Sequence, residues 1–309
     1  MSSYLPVVTV VGSTNAQGKA VVRSLLECGK YKVRCLTRDK NSAKLQPLAQ
    51  HVFGTDRLEI VNCDLTNPNQ LRQTFHSSWA VFVCFNLDFS SIQNKYDSEV
   101  KQGRLIVDTV AQLEIPYFLL SFQENVYDKS QGKLVPTFES KAKLRTYVQE
   151  TYPQMNAIYI EPAEFPIQYW PLFGFARKST ENDMIEFRLP VSQETLLNLV
   201  DIDDIGRVVI ELLNKPDVYV HQTIRVCGEL IEFQHISTIF TQVTGRYAQT
   251  ITINEQEFKN DHSNDQLYTL FKYIEQYSQG RQQTSTDKQL VQLHTFETWL
   301  KKSEWKGPK

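Results

Sequence analysis

Glycine is scarce, with 12 residues in a chain of 309. That excludes a collagen-like or glycine-rich repeat chain and gives weight to each glycine found in a turn. Long apolar runs are missing as well. None approaches the roughly 18 consecutive apolar residues of a membrane span. The N-terminus, Met1-Ser2-Ser3-Tyr4-Leu5-Pro6, lacks the charged and apolar regions of a secretion signal. No charge of one sign prevails: Lys plus Arg is 33, Asp plus Glu is 35, and the formal net charge is −2. A chain so balanced does not coat nucleic acid or an anionic membrane through bulk charge. The five cysteines are odd in number and contain no C-x-x-C, so neither a disulfide framework nor a zinc clamp is expected. Four of them stand in apolar or strand-like stretches and read as buried thiols. The six histidines are scattered without H-x-H or H-E-x-x-H, and no metal is expected. The compartment implied is a reducing one, the cytoplasm, with the nucleus second.

What is present is ordinary for a globular chain: 41% hydrophobic and 22% charged residues. The length allows one large or two modest domains. Val7-Val8-Thr9-Val10-Val11 reads as a strand buried on both faces. A short turn follows, and then a helix whose apolar face is Val21, Val22, Leu25 and Leu26, stopped by Gly29. Tyr31–Leu36 is the next strand, completing a strand–turn–helix–strand unit. Further strands are predicted at Leu58–Val61, Ala80–Phe85, Tyr117–Ser121 and Asn156–Ile160, with helices over Glu99–Leu113 and Lys141–Thr151.

This alternation predicts an α/β chain with a Rossmann-like doubly wound parallel sheet and a small, mostly helical C-terminal subdomain. The boundaries are 1–160 for the nucleotide domain and 161–309 for the smaller subdomain, which is interleaved with the last sheet strands. Pro162–Lys178 is rich in Pro, Phe, Tyr and Trp without a clear period, and reads either as core filler or as a pocket wall. Asp203-Asp204 caps a helix through Val208, Val209, Leu212 and Leu213. Gln222–Val226 is one more strand. Helices follow around Ile236–Val243, Leu267–Tyr277 and Phe296–Lys302, with a mobile loop over Gly280–Lys288.

The chemistry concentrates in the first turn, Gly12-Ser13-Thr14-Asn15-Ala16-Gln17-Gly18. A glycine turn between a strand and a helix brings backbone N–H groups and a helix N-terminus to an anion. The candidate phosphate-binding residues are Gly12, Thr14, Asn15, Ala16, Gln17 and Gly18. Asn15 replaces the middle glycine. Asn tolerates positive φ better than other non-glycine residues, so the turn is expected to survive. At the end of the second strand stand Thr37, Arg38 and Lys40, where a carboxylate would have selected NAD. A guanidinium there pairs with a 2′-phosphate, which favours NADP(H) over NAD(H); the alternative is a solvated basic loop. Asp64 follows the third strand and reads either as an adenine contact or as a turn residue. Asn86, past the fourth strand, is counted with the cofactor-binding residues.

The stretches Val10–Gly18, Val33–Arg38, Glu99–Gly103, Leu120–Asn125 and Asp201–Gly206 resemble the NmrA-like family of atypical short-chain dehydrogenases/reductases. The resemblance covers roughly residues 5–245. It implies an NADP(H)-binding Rossmann fold, and members that serve as redox sensors rather than turnover enzymes. Such dehydrogenases use a Tyr-x-x-x-Lys pair in which the phenol transfers a proton. The matching residues here are Thr137 and Lys141, so the lysine is present and the tyrosine is not. Tyr127 and Tyr96 could substitute from a loop, though nothing in the sequence argues for either. Ser121 matches the strand-end serine that polarises a substrate. Isoflavone-reductase-like relatives keep the lysine without the tyrosine, so a reductase using Lys141 and Ser121 stays open, as does a lysine that only binds the nicotinamide ribose. Burial beside apolar groups would favour a neutral lysine. Glu161–Gln168 resembles the family segment beside the nicotinamide, which places Pro162 and Phe165 near the cofactor. A pocket filled by Phe or Trp170 favours the sensor.

The function expected is a regulator that binds NADP(H) and acts through a protein partner. The alternative is an NADPH-dependent reductase of a small carbonyl, quinone or enone. The cluster Lys301, Lys302, Lys306 and Lys309 reads as a solvated tail, so direct nucleic-acid binding is not expected. The chain is expected to be a monomer or a dimer.

Overall fold

The computed structural model describes residues 5–41, 56–85, 93–129, 135–277 and 290–308, with the side chains of 93–96, 129, 136 and 137 outside the description. Asn86 and the Gly280–Lys288 loop fall outside these residues. The described chain forms two compact units. The first holds Met1–Glu124, Pro136–Glu161 and Asp203–Ile224, and the second Asn125–Val135, Pro162–Ile202 and Arg225–Lys309.

The first unit is built on strands β1 (Val7–Val11), β2 (Lys32–Thr37), β3 (Leu58–Asn62), β4 (Ala80–Val83), β5 (Tyr117–Ser121) and β6 (Ala157–Pro162). With β11 (Thr223–Val226) they make a seven-stranded parallel sheet in the order β11-β6-β5-β4-β1-β2-β3. The first six strands follow the doubly wound order, whose crevice opens where the winding reverses, between β1 and β4. β1 is buried along its whole length, as a central parallel strand must be, and pairs Val8 with Val33 on one side and with Ala80 on the other.

Helices α1 (Ala16–Cys28), α2 (Pro68–Phe75), α3 (Gln93–Gln112), α4 (Pro136–Thr151) and α5 (Ile202–Asn214) belong to this unit. α1 buries Val21, Val22, Leu25 and Leu26 and ends at Gly29, whose φ of 74° is the left-handed cap a glycine allows. α3 and α4 begin earlier than their apolar period suggests. Asp203 and Asp204 lie in the first turn of α5 rather than at its cap, where their charge suits the helix N-terminus.

The second unit combines helices with two small sheets that the sequence did not announce. β7 (Phe165–Pro166), β10 (Leu196–Val200) and β12 (Glu229–Glu232) form one, in the order β12-β10-β7. β8 (Ala176–Lys178), β9 (Ile185–Leu189) and β13 (Ala248–Thr252) form the other, in the order β13-β9-β8. Around them stand α6 (His235–Thr244), α7 (Glu255–His262), α8 (Asp265–Tyr277) and α9 (Phe296–Ser303). The core of this unit is aromatic. Trp170 is fully buried, its ring centroid 4.9 Å from Phe165, 5.0 Å from Phe187 and 6.3 Å from Phe233. The aperiodic Pro162–Lys178 stretch therefore supplies core. No helix among the described residues is long and apolar enough to cross a membrane.

Candidate functional site

The turn after β1 is shaped by glycine at two points. Gly12 has a φ of 87°, and a Cβ there would lie 2.1 Å from the Cys84 carbonyl oxygen at the end of β4. Gly18 sits in the first turn of α1, where a Cβ would lie 2.1 Å from the Gly12 oxygen. Only glycine lets β1, β4 and α1 converge this closely. The loop is tied at both flanks. Ser13 Oγ donates to the Leu36 carbonyl in β2 at 2.7 Å, and Asn15 Nδ2 donates to the Cys84 carbonyl at 3.2 Å.

Asn15 does not have the positive φ expected of a glycine substitute. Its φ is −87° and its ψ 169°, the extended geometry of a helix N-cap, and its Oδ1 accepts from Gly18 N at 2.7 Å. The left-handed position is Gly12, so the middle residue of the motif needs no glycine for its backbone. Ala16 and Gln17 open α1, where N–H groups have no acceptor within the helix and face outward with the positive end of its dipole.

The strand ends beside this turn carry the remaining candidates. Gln17 Nε2 donates to Ser121 Oγ at 2.6 Å, joining the turn to the end of β5. Lys141 is buried on α4, and its Nζ donates to Glu99 Oε1 at 2.8 Å. Ser140 Oγ donates to the same oxygen at 2.7 Å. Lys141 is thus ion-paired rather than set among apolar groups alone. Its charge is felt at Cys84, whose thiol burial pushes up to about 12 against the opposing pull of Asn15 and Lys141. In the sequence, Glu99 stands only at the start of a predicted helix and in a resembling stretch. Its pairing with a residue 42 positions away leaves no local signal.

At the end of β2, the Thr37 hydroxyl accepts from Asp39 N at 3.1 Å and donates to the Asp39 carbonyl at 3.0 Å. Lys40 N donates to Asn62 Oδ1 at 2.7 Å, so the backbone of this loop is fixed while the Arg38 and Lys40 residues stay exposed. The Asp39 carboxylate, not singled out from sequence, accepts from Asn41 N at 2.9 Å. Asp64 is exposed and accepts from the backbone and hydroxyl of Thr66 at 2.9 and 2.8 Å. Those two bonds, helped by Arg38, hold its carboxyl below the usual range. Its carboxylate thus closes a local turn.

Pro162 and Phe165 belong to the second unit, except that Pro162 also ends β6. The loop between them is pinned by a buried ion pair, Arg225 Nη2 to both Glu164 carboxylate oxygens at 3.1 and 3.0 Å. Gln168 Nε2 donates to Asp201 at 2.6 Å. Phe165 is buried among Tyr169, Trp170, Phe175 and Phe271. Thr137 lies in the first turn of α4, with its side chain, like that of Tyr96, outside the description.

A model of the NmrA-like family matches residues 6–300. The chain belongs to the NmrA-like family. An NmrA-like family domain-containing oxidoreductase of Aspergillus hancockii is 29% identical over 258 residues, covering 81% of this chain and 76% of its own length. An NmrA-like protein of Dictyostelium discoideum is 22% identical over 311 residues, 97% of this chain and 98% of its own. Solved structures of NmrA, a negative transcriptional regulator, in complex with NADP and with NAD superpose at TM-scores of 0.76 and 0.77. Each is 12% identical and covers 96% of this chain and 94% of its own, a likeness that shows the fold. In this NmrA-like chain the turn, Ser121, Lys141 and Glu99 all lie in the first unit, on or beside the carboxyl ends of its strands.

Proposed function

We propose that this NmrA-like chain binds NADP(H) at the turn after β1 and serves as a nucleotide-responsive regulator acting through a protein partner. The cradle between Gly12 and Gly18 carries this reading. A Cβ at either position would collide with backbone, so the turn closes tightly against β4 and the start of α1, whose first N–H groups would then meet a pyrophosphate. Thr14, Ala16 and Gln17 would hold the phosphates, with Asn15 shaping the turn. Arg38 and Lys40 would hold the 2′-phosphate, with Thr37 setting their loop. Pro162, Phe165 and Asn86 are proposed on resemblance alone, and Asp64 as a support of the Arg38 loop. Complexes of NmrA with NADP and NAD support the dinucleotide class.

The absent tyrosine at Thr137 and the engaged side chains favour a regulator over a dehydrogenase of the usual kind. Lys141 is held by Glu99, and Ser121 by Gln17. A threonine hydroxyl is a far weaker acid than a phenol and does not take the tyrosine's place. A second reading is favoured by the relative named an oxidoreductase and by the burial of Lys141. In it, the chain supplies Lys141 as proton donor to a small carbonyl, quinone or enone and Ser121 as its polarising hydroxyl. The bound dinucleotide would supply hydride.

Titration of tryptophan fluorescence with NADPH and NADH tests the nucleotide. NADPH is expected to bind the tighter, and Arg38→Ala to weaken it by about tenfold while barely changing NADH. NADH binding at least as tight as NADPH would remove the role given to Arg38. NADPH oxidation at 340 nm, with a panel of quinones, aldehydes and enones, separates the two readings. Turnover at an ordinary enzymic rate would replace the regulator with the reductase.

A further inference from the structure

We propose that Glu99 determines how the site discriminates oxidised from reduced dinucleotide, because its carboxylate neutralises the buried Lys141 ammonium beside the nicotinamide position. The inference rests on the NADP(H) reading above and assigns a specificity residue to that same site.

The pair is close and dry. Lys141 Nζ lies 2.8 Å from Glu99 Oε1, and the two side chains retain 4% and 11% of their exposure. The Ser140 hydroxyl donates to the same carboxylate oxygen at 2.7 Å, so that oxygen is fixed by two donors from one turn of α4. The pair borders the turn. Lys141 acts electrostatically on Cys84, and the carbonyl of Cys84 is the atom that a Cβ on Gly12 would strike.

The topology then fixes which half of the ligand it meets. A dinucleotide in a doubly wound sheet lies across the carboxyl ends of the strands, with its pyrophosphate at the N-terminus of the first helix. Arg38 follows β2 and so draws the 2′-phosphorylated adenosine half toward β2 and β3. The nicotinamide half is left for the β4 and β5 side, where Ser121, Lys141 and Glu99 stand.

The nicotinamide ring is cationic when oxidised and neutral when reduced. An ammonium not balanced by the Glu99 carboxylate would repel the oxidised ring and leave the reduced one unaffected, and low local dielectric would enlarge the difference. With Glu99 in place the pair is neutral overall and that bias is absent. Glu99 is a positioning and charge-setting residue in this account and is not required to touch the ligand.

The test measures dissociation constants for NADP+ and NADPH by fluorescence titration in the whole chain, in Glu99→Gln, and in the double variant Glu99→Gln/Lys141→Met. Glu99→Gln is expected to raise the ratio of the NADP+ to the NADPH constant by about tenfold, on the Coulomb scale of a unit charge across one ring width. The double variant removes both charges, so its ratio is expected to return to within about twofold of the parent. It also controls for folding, since it removes both charges of the pair together. Equal weakening of both forms by Glu99→Gln, with the ratio unmoved, would make Glu99 a structural partner only and overturn the inference. Failure of the parent chain to bind either form would overturn the dinucleotide reading, and the inference with it.

Discussion

At Gly12 the backbone stands at a φ of 87° with the Cys84 carbonyl where a side chain would begin, so Gly12→Ala meets both strain and collision. The substitution is expected to lower stability by roughly 2 kcal/mol or more in urea denaturation and to abolish dinucleotide binding. Asn15 has a different task. Asn15→Ala removes the cap on Gly18 N and the bond to Cys84, and a loss of about 1 kcal/mol or somewhat more is expected in the same measurement. The sequence showed where the turn lies and which residues compose it, because strand, glycine and helix follow each other directly. It did not show what Asn15 does, since spacing carries no φ value and a cap looks like a failed glycine. Glu99 was beyond reach for another reason: its partner Lys141 arrives only when α3 and α4 are packed together.

The helices meet through small residues. A Cβ on Gly206 of α5 would lie 2.5 Å from the Ala20 carbonyl oxygen and 2.4 Å from Ser24 Oγ, both on α1. Gly206→Ala is therefore expected to force the two helices apart and cost about 1–3 kcal/mol, read as a shifted urea midpoint. The strands of the first unit were legible because each is a short β-branched or aromatic run between helical periods. The strands of the second unit were not. β9 pairs with β13 in register Ile185 to Ala248, and β10 with β12 in register Leu196 to Glu232. Those partners are far apart in the chain, and short strands that close small sheets carry no pattern stronger than a loop. The aromatic stretch after Pro162 had two readings, and only the ring contacts of Phe165 and Trp170 decide for core.

Across the whole molecule, the buried groups give two solution signatures. Cys35, Cys63, Cys84 and Cys227 are buried, whereas Cys28 is half-buried. Burial also pushes the Cys35 and Cys84 thiols up to about 12. Native protein is expected to release about one equivalent with a chromogenic disulfide at pH 8, against five after denaturation. His262 packs its ring 4.6 Å from Phe258 and 5.0 Å from Phe175, and burial holds its pKa below the usual value of 6.5. A histidine kept neutral in the fold contributes stability that is complete above the unfolded pKa and is lost as pH falls below about 6.5. His262→Phe is expected to flatten that part of the stability profile between pH 7 and 5, compared by denaturation with the parent. An unchanged slope would show that His262 does not titrate on unfolding.

The first unit is assembled from three separated stretches of chain, and the seventh strand of its sheet begins only at Thr223. A growing chain on a ribosome thus completes β6 long before the strand that covers its outer edge exists. Until that strand emerges, Ala157–Pro162 presents unpaired, largely apolar backbone to any neighbouring nascent chain. Chaperone demand during synthesis should therefore peak between the appearance of β6 and that of β11. Ribosome-bound chains halted in that interval should aggregate more when released than chains halted once β11 has emerged.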